Sequence, residues 1–505
     1  MERSVRAEVA VRFGFLLIGQ FLPVLSVRAQ PTPQSIKLWK PWKPGADSRS
    51  RPAKRALRGG PTGGFRTDVP AHLYDVILGR PTRDSVTVSL LSCQKAEAKI
   101  CHGTTPGVYT HETSILALVA GAVAEIEVAD LQPNTRHYYR VDYQPNGGGE
   151  PLHGPERTFH TQRSADSPFT FTIQADSHLD ENTETQIYGQ TLRNVATDGP
   201  DFPIDLGDTF MTGKYGRRHE DALPQYLAQR YYLGLVSHSA PLFLVLGNHD
   251  GETGGKTTAA IRMRTTYFPN PFPDGFYTGS PERVEGVGPA QNYYAWEWGS
   301  ALFIVLDPFG HTVEQRGRRK ADNWGRTLGR EQYDWLQTTL EQSNALFKFV
   351  FIHHLVGGLD RNARGGAEAA RFYEWGGRDL DGSDTFRQHR PGWPMPIHGL
   401  LVREGVSIVF HGHDHFCARQ ELDGITYQLV PQPGHAGTKT PRYAASYGYR
   451  SGDIMGGSGH LRVHVGKGEA KVDYIQAGLP RHDTSPSANG DVAFSYAVSP
   501  SFISH

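Results

Sequence analysis

The sequence predicts an α/β domain of buried sheets covered by helices, preceded by an all-β sandwich, and three observations lead there. Between Ala71 and Thr161, short runs rich in Val, Thr, Ile and Tyr (SVTVSLLSC, TSILALVAGAVAEIEVADL, HYYRVDYQ) are punctuated by the turns PNT and NGGGEP, with no helical stretch between them. After Ser167 the runs become continuously apolar: FTFTIQAD, PDFPIDLGD, APLFLVLGNHD, ALFIVLD, FKFVFIHH and VSIVFHGHDH. Amphipathic stretches such as EDALPQYLAQRYYLGLVS and GREQYDWLQTTLEQSN lie between several of them, the pattern of sheets buried under helices.

Composition sets the bounds. A chain of 505 residues has room for roughly two to four domains. Lys plus Arg equals Asp plus Glu at 52 each, so charge gives no reason to expect a nucleic acid or an anionic membrane as partner. The 57 Gly and 34 Pro point to many turns and long irregular loops.

Residues 1–29 read as a signal peptide. Arg3, Arg6 and Arg12 form a basic start, Phe13 to Leu25 an apolar stretch, and Val27-Arg28-Ala29 a cleavage-like end. The apolar stretch is shorter than the ~20 residues of a spanning helix and is interrupted by Gln20 and Pro23. The expectation is a secreted or periplasmic protein with no membrane span after cleavage. Residues 30–69 are expected to be a disordered basic linker. Residues 70–162 form the β-sandwich, in which Ala129 to Val141 (ADLQPNTRHYYRV) resembles the late-strand motif of fibronectin type III-like modules. Residues 168–478 form the α/β domain, and 479–505 a tail in which VAFSYAV is a candidate edge strand. LDGITYQLVPQPG and HLRVHVGKGEAKVDYIQA are expected to complete the second sheet of the α/β domain. Cys93 and Cys101 fall in what read as neighbouring strands, where an oxidising compartment permits a bridge without requiring one; Cys417 is left over.

Five polar clusters follow the apolar strands: Asp176-Ser-His178, Gly207-Asp208, Gly247-Asn248-His249-Asp250, His353-His354 and His411-Gly-His413-Asp-His415. Ligands of open α/β sheets gather beyond the carboxyl ends of the strands, so these clusters can converge. Residues two apart at a strand end point to one side, which lets Asp176 with His178, and His413 with His415, grip an ion. Carboxylate and imidazole ligands together suit Zn, Mn, Fe or Co, and the lack of a cysteine cluster argues against structural zinc. A single D-x-H or G-D after a strand is commonly a turn or cap; five clusters in this order are not.

With these motifs the chain resembles a calcineurin-like metallophosphoesterase over about Pro168 to Ala477. The resemblance implies a four-layer α/β/β/α sandwich and two divalent metal ions, Fe, Mn or Zn. Asp176, His178 and His415 would hold the first ion, Asp208 would bridge, and Asn248, His353 and His413 would hold the second, with His353 preferred to His354. Two cations ~3.5–4 Å apart activate a water for in-line attack on phosphorus. The family assigns His249 to the leaving oxygen, and Asp250 is expected either to orient its ring or to cap a helix. The order of domains resembles purple acid phosphatases, but Met211 stands where those enzymes carry an iron-binding Tyr, and His178 where they lack a ligand.

The substrate is expected to be a small-molecule phosphoester, mono- or diester. Its selectivity would come from the long insertions Gly251 to Gln291 and Val356 to Ile397, with Arg262, Arg264, Tyr267, Arg361, Arg364, Trp375, Arg378 and Trp393 as candidates. Two alternatives stand beside this: a surface-binding module with a vestigial metal site, and a metal-dependent hydrolase of a non-phosphate substrate.

Overall fold

A computed structural model describes residues 64–146, 150–215, 218–255, 258–312, 322–435, 441–479 and 489–500. The signal peptide and most of the expected linker lie outside them. Among the described residues, no helix is long and apolar enough to cross a membrane.

The N-terminal part is a two-sheet sandwich. Tyr74–Gly79, Val86–Ser92 and Val123–Val128 form one antiparallel sheet. Ala96–Gly103 and Arg136–Pro145 form the centre of the other. Burial alternates along Arg136–Pro145, with Tyr139, Val141 and Tyr143 facing the core, as a sheet with one wet face requires. Val86–Ser92 departs from that rule, being buried throughout. Its outer face is covered by the second domain, where the Arg230 guanidinium, itself fully buried, donates to Asp75 Oδ1 at 2.7 Å and to Ser89 Oγ at 3.0 Å.

Cys93 and Cys101 are not in neighbouring strands as expected. Cys93 follows a strand of the first sheet and Cys101 lies in the second, and all three cysteines are free. The Cys101 thiol donates instead to Asp142 Oδ2 at 3.3 Å.

The second part stacks two sheets between helices. One has the order Phe243–Leu244, Phe202–Asp205, Phe169–Gln174, Ser458–Val465, Ala470–Ala477, Val492–Val498, parallel through its first three strands and antiparallel thereafter. The other is eight-stranded, with Tyr294–Trp298, Ala301–Val305, Phe347–Phe351, Ile408–His411 and Ile425–Leu429 side by side. The inner faces meet in an aromatic core: Phe171 packs edge-on to Phe303 at 5.1 Å, and Phe243 stacks on Trp296 at 4.0 Å. Thr185–Asp198 and Leu223–Ser237 lie on the outer side of the first sheet, and Arg330–Gln342 and Ile397–Arg403 on that of the second, giving four layers.

Two expectations need correction. The strands after the last motif divide between the sheets: Ile425–Leu429 joins the eight-stranded one, while the Ser458–Val465 and Ala470–Ala477 hairpin pairs with Phe169–Gln174 in the other. Continuous apolar runs carry no label for which sheet they enter. The linker, expected to be solvated to residue 69, is anchored at its end: Phe65 stacks on Tyr215 at 4.7 Å, and the Arg66 amide donates to Leu179 O at 2.7 Å.

Candidate metal centre

The parallel strands Phe169–Gln174, Phe202–Asp205, Phe243–Leu244, Phe347–Phe351 and Ile408–His411 all deliver their following loops to one edge of the stacked sheets. Backbone pairing continues past the strands and locks these loops together. The Asp176 amide donates to Gly207 O at 2.9 Å, His178 N to Asp208 O at 3.1 Å, and Gly412 N to His353 O at 2.9 Å. At Gly247 a Cβ would lie 2.0 Å from the Asp208 amide, so only glycine lets the loops of Asp208 and Asn248 approach this closely.

Asp176, His178, Asp208, His413 and His415 all have positive φ, between 55° and 76°. Left-handed backbone at a non-glycine residue costs of order 1–3 kcal/mol and persists where surrounding structure over-determines it, typically at functional sites. It also replaces the strand-pleat account of why alternate residues converge. These residues lie beyond the strand ends, and positive φ rather than pleating turns their side chains inward.

Two groups result. The donor atoms of Asp176, His178 and His415 lie within 4.8 Å of one another, as do those of Asp208, His353 and His413. His415 Nε2 is 3.2 Å from Asp176 Oδ1, and Asp208 Oδ2 lies 3.6 Å from His178 Nε2 and 3.4 Å from His353 Nε2, between the two groups. Asp176 Oδ1, His178 Nε2, His353 Nε2 and Asn248 Oδ1 are buried with no hydrogen-bond partner. Orphaned donors and acceptors of this kind need an explanation, and a cation bound by oxygen and imidazole supplies one. Ring tautomers agree: His353 Nδ1 donates to Leu206 O at 2.9 Å, leaving Nε2 bare, and His413 Nε2 donates to Asn362 O at 2.6 Å, leaving Nδ1 bare. His354 faces elsewhere, with Nδ1 3.1 Å from Leu355 O, and is in neither group.

Electrostatics follow the geometry. Burial opposes ionisation of Asp176, but His415, His178 and His353 outweigh it and hold the carboxyl well below its usual range. Burial likewise works against the His353 imidazolium, and Asp208 and Asp176 overcome it, pushing the ring up to about 9. Protons held this tightly by carboxylates mark where cations would go. His249 is different. Burial chiefly lowers its pKa, with His178 and Lys214 adding to the effect against the pull of Asp208. Its side chain is 38% exposed and stands at the rim, with Nε2 3.9 Å from Asp208 Oδ2.

Asp250 occupies a different post from either one expected. Its buried carboxylate accepts the amides of Gly247 at 2.7 Å, Phe210 at 2.8 Å, Thr209 at 2.9 Å and Asp208 at 3.2 Å. Among the described residues no hydrogen bond joins it to the His249 ring; it braces the Asp208 loop against the Asn248 loop.

Of the insertion residues proposed to choose the substrate, only Arg364 lines the metal cavity of about 340 Å³. Arg264 is buried against Glu252 at 2.7 Å, Trp375 lies in the core with Nε1 2.9 Å from Tyr427 Oη, and Trp393 packs on Tyr333. Lys214 and Asp180 also line the cavity and were not anticipated from sequence. The only signal for Lys214 is its place in the loop GDTFMTGK that follows Asp208.

Comparison with known proteins identifies a family and a fold. Residues 169–417 match the model of the calcineurin-like phosphoesterase family. A solved structure of PhoD is similar in fold, with TM-score 0.59 and 15% identity, covering 89% of this chain and 92% of that one. Weaker matches include GAP50, the anchor in the inner membrane complex of Plasmodium (10% identity, TM-score 0.37, 67% of this chain and 90% of that one). Another is Vacuolar Protein Sorting 29 of Cryptosporidium parvum (10% identity, TM-score 0.27, 66% and 100%). At these TM-scores neither bears on fold or function. No curated protein sequence matches the chain. Residues 169–417 belong to the calcineurin-like phosphoesterase family, and the chain is a metallophosphoesterase.

Proposed function

We propose that the protein is an exported hydrolase of small-molecule phosphate esters that works with two divalent cations. The observation that carries this is the pair of donor groups meeting at Asp208: both hold buried ligand atoms without a hydrogen-bond partner, at Asp176, His178 and His353, and members of both line one cavity. Asp176, His178 and His415 would hold one cation, His353, His413 and Asn248 the other, and Asp208 would bridge. Such a pair supplies charge neutralisation for phosphoryl oxygens and water acidified toward neutral pH.

The chain's own residues do the rest. Carbonyl oxygens of Leu206 and Asn362 fix the rings of His353 and His413, so the donor geometry is set before substrate arrives. His249, at the rim with Nε2 3.9 Å from Asp208 Oδ2, would meet the leaving oxygen and exchange a proton with it. Its backbone amide donates to Asp208 Oδ1 at 2.7 Å, tying the rim residue to the proposed bridge. Export rests on the basic and apolar pattern of residues 1–29.

The test is hydrolysis of p-nitrophenyl phosphate and bis(p-nitrophenyl) phosphate by the purified protein with Mn or Zn added, together with metal counting. Turnover of at least one ester with two metals per chain is expected. Two bound metals and no turnover of either ester would favour a non-phosphate substrate, and failure to bind metal would favour a vestigial site. Fractionation of the producing cells tests export, with the mature protein expected outside the cytoplasm.

A further inference from the structure

Lys214 and Arg364 both line the cavity beside the candidate ligands, each backed by a buried carboxylate. Lys214 sits on the Thr212–Tyr215 turn, whose Gly213 amide donates to His249 O at 2.8 Å, so it belongs to the His249 side. Its Nζ donates to Asp180 Oδ2 at 2.6 Å. Arg364 comes from the Val356 to Ile397 insertion, and its Nη1 donates at 2.9 Å to Asp414, the residue between His413 and His415. Asp414 is held in turn by the Gly365 amide at 3.1 Å and the Tyr449 hydroxyl at 2.9 Å, and the guanidinium stacks 3.7 Å over the Tyr447 ring. Both cations retain about a fifth of their side-chain surface, at 20% and 23%, while Asp180 and Asp414 are at 1% and 2%.

This is a built arrangement. A surface lysine or arginine loses much rotamer entropy when it grips an anion, whereas a cation already held by a buried carboxylate and an aromatic face has lost it on folding. Nη1 of Arg364 is engaged by Asp414, and among the described residues its other N–H groups have no protein partner.

We propose that Lys214 and Arg364 form a cationic clamp that selects phosphomonoester dianions over phosphodiesters. The proposal rests on the phosphoester reading above and names the substrate class. A phosphomonoester carries nearly two negative charges at neutral pH and keeps three non-ester oxygens. Cations held at the candidate centre would compensate part of that charge, and the clamp supplies charge-assisted donors for what remains. A diester has one charge less, and its second ester group replaces an oxygen that the clamp would bind, so one charge-assisted contact is lost.

The test uses the metal-loaded full chain and compares wild type with Lys214→Ala, Arg364→Ala and Arg364→Lys. Three quantities are measured: kcat/KM on p-nitrophenyl phosphate and on bis(p-nitrophenyl) phosphate, the Kd for inorganic phosphate by calorimetry, and metals per chain. Wild type is expected to favour the monoester by about tenfold or more, and each alanine variant to lose about 10- to 100-fold on the monoester and several-fold less on the diester. Phosphate binding is expected to weaken in step, metal content to stay unchanged, and Arg364→Lys to recover part of the loss. Equal losses on both esters, or unchanged phosphate binding, would overturn the clamp while leaving the phosphoesterase reading in place. If wild type turned over neither ester, that reading would fail instead, and phosphate binding by the variants would still decide whether the clamp exists.

Discussion

The Asp250 carboxylate accepts the Phe210 amide at 2.8 Å while its other oxygen accepts the Gly247 amide at 2.7 Å, so one side chain staples two loops that carry proposed metal ligands. This relationship gives a first prediction. Asp250→Ala leaves four backbone amides without an acceptor in a buried place, and is expected to destabilise the protein by about 3–5 kcal/mol and to weaken metal binding. Urea unfolding with metal counting checks it. A variant with wild-type stability and metal content but low kcat would instead restore the role of orienting His249.

His249→Ala is expected to lower kcat by roughly 10²–10⁴ with metal content intact, because the ring stands at the rim and only its backbone amide is tied to Asp208. Steady-state kinetics beside metal analysis settle the matter, and loss of metal would mean that the ring is a ligand.

Arg230 and Asp75 join the sandwich to the catalytic domain through a fully buried guanidinium. Removing either partner strands the other charge, so Arg230→Ala and Asp75→Ala are each expected to cost about 3–5 kcal/mol. The double variant should cost clearly less than the sum. Additive losses in a denaturation cycle would show that the contact is not coupled.

Chelation of metal is expected to lower Tm, since a ligand that binds only the folded chain contributes about 4 kcal/mol at a thousandfold excess over its Kd. Residues 169–417 carry all seven proposed ligands, so the loss should concentrate in the catalytic domain. Calorimetry with and without chelator reads this directly, and an unchanged Tm counts against resident cations.

Met211, three residues after Asp208, is buried and stands where the resemblance to purple acid phosphatases would put a tyrosinate, so no tyrosinate–iron absorption is expected even if iron is bound. A visible charge-transfer band in the native protein would contradict that.

Much of the site was legible because its chemistry is local. Asp176, His178, Asp208, Asn248, His353, His413 and His415 each follow an apolar strand within a few residues, and parallel strands must present such ends to one edge. The choice of His353 over His354 came from the family motif, and the Leu206 carbonyl that fixes the ring is 147 positions away. Roles that depend on such distant partners were not legible. Asp250 reads as a neighbour of His249, yet its partners include Asp208, Thr209 and Phe210 across the loop boundary. Arg264, Trp375 and Trp393 read as loop residues available to substrate, and packing buries all three.

By itself the sequence determined the run of apolar strands and amphipathic helices, the two-part architecture and the residue types that meet at the candidate metal centre, because periodicity and strand-end spacing are properties of contiguous chain. Only the tertiary structure decided which sheet the last strands enter, that Cys93 and Cys101 lie in different sheets, and that Lys214 and Arg364 face one cavity. Those outcomes turn on contacts between segments far apart in sequence, where burial and hydrogen-bond geometry choose among partners that local pattern leaves equivalent.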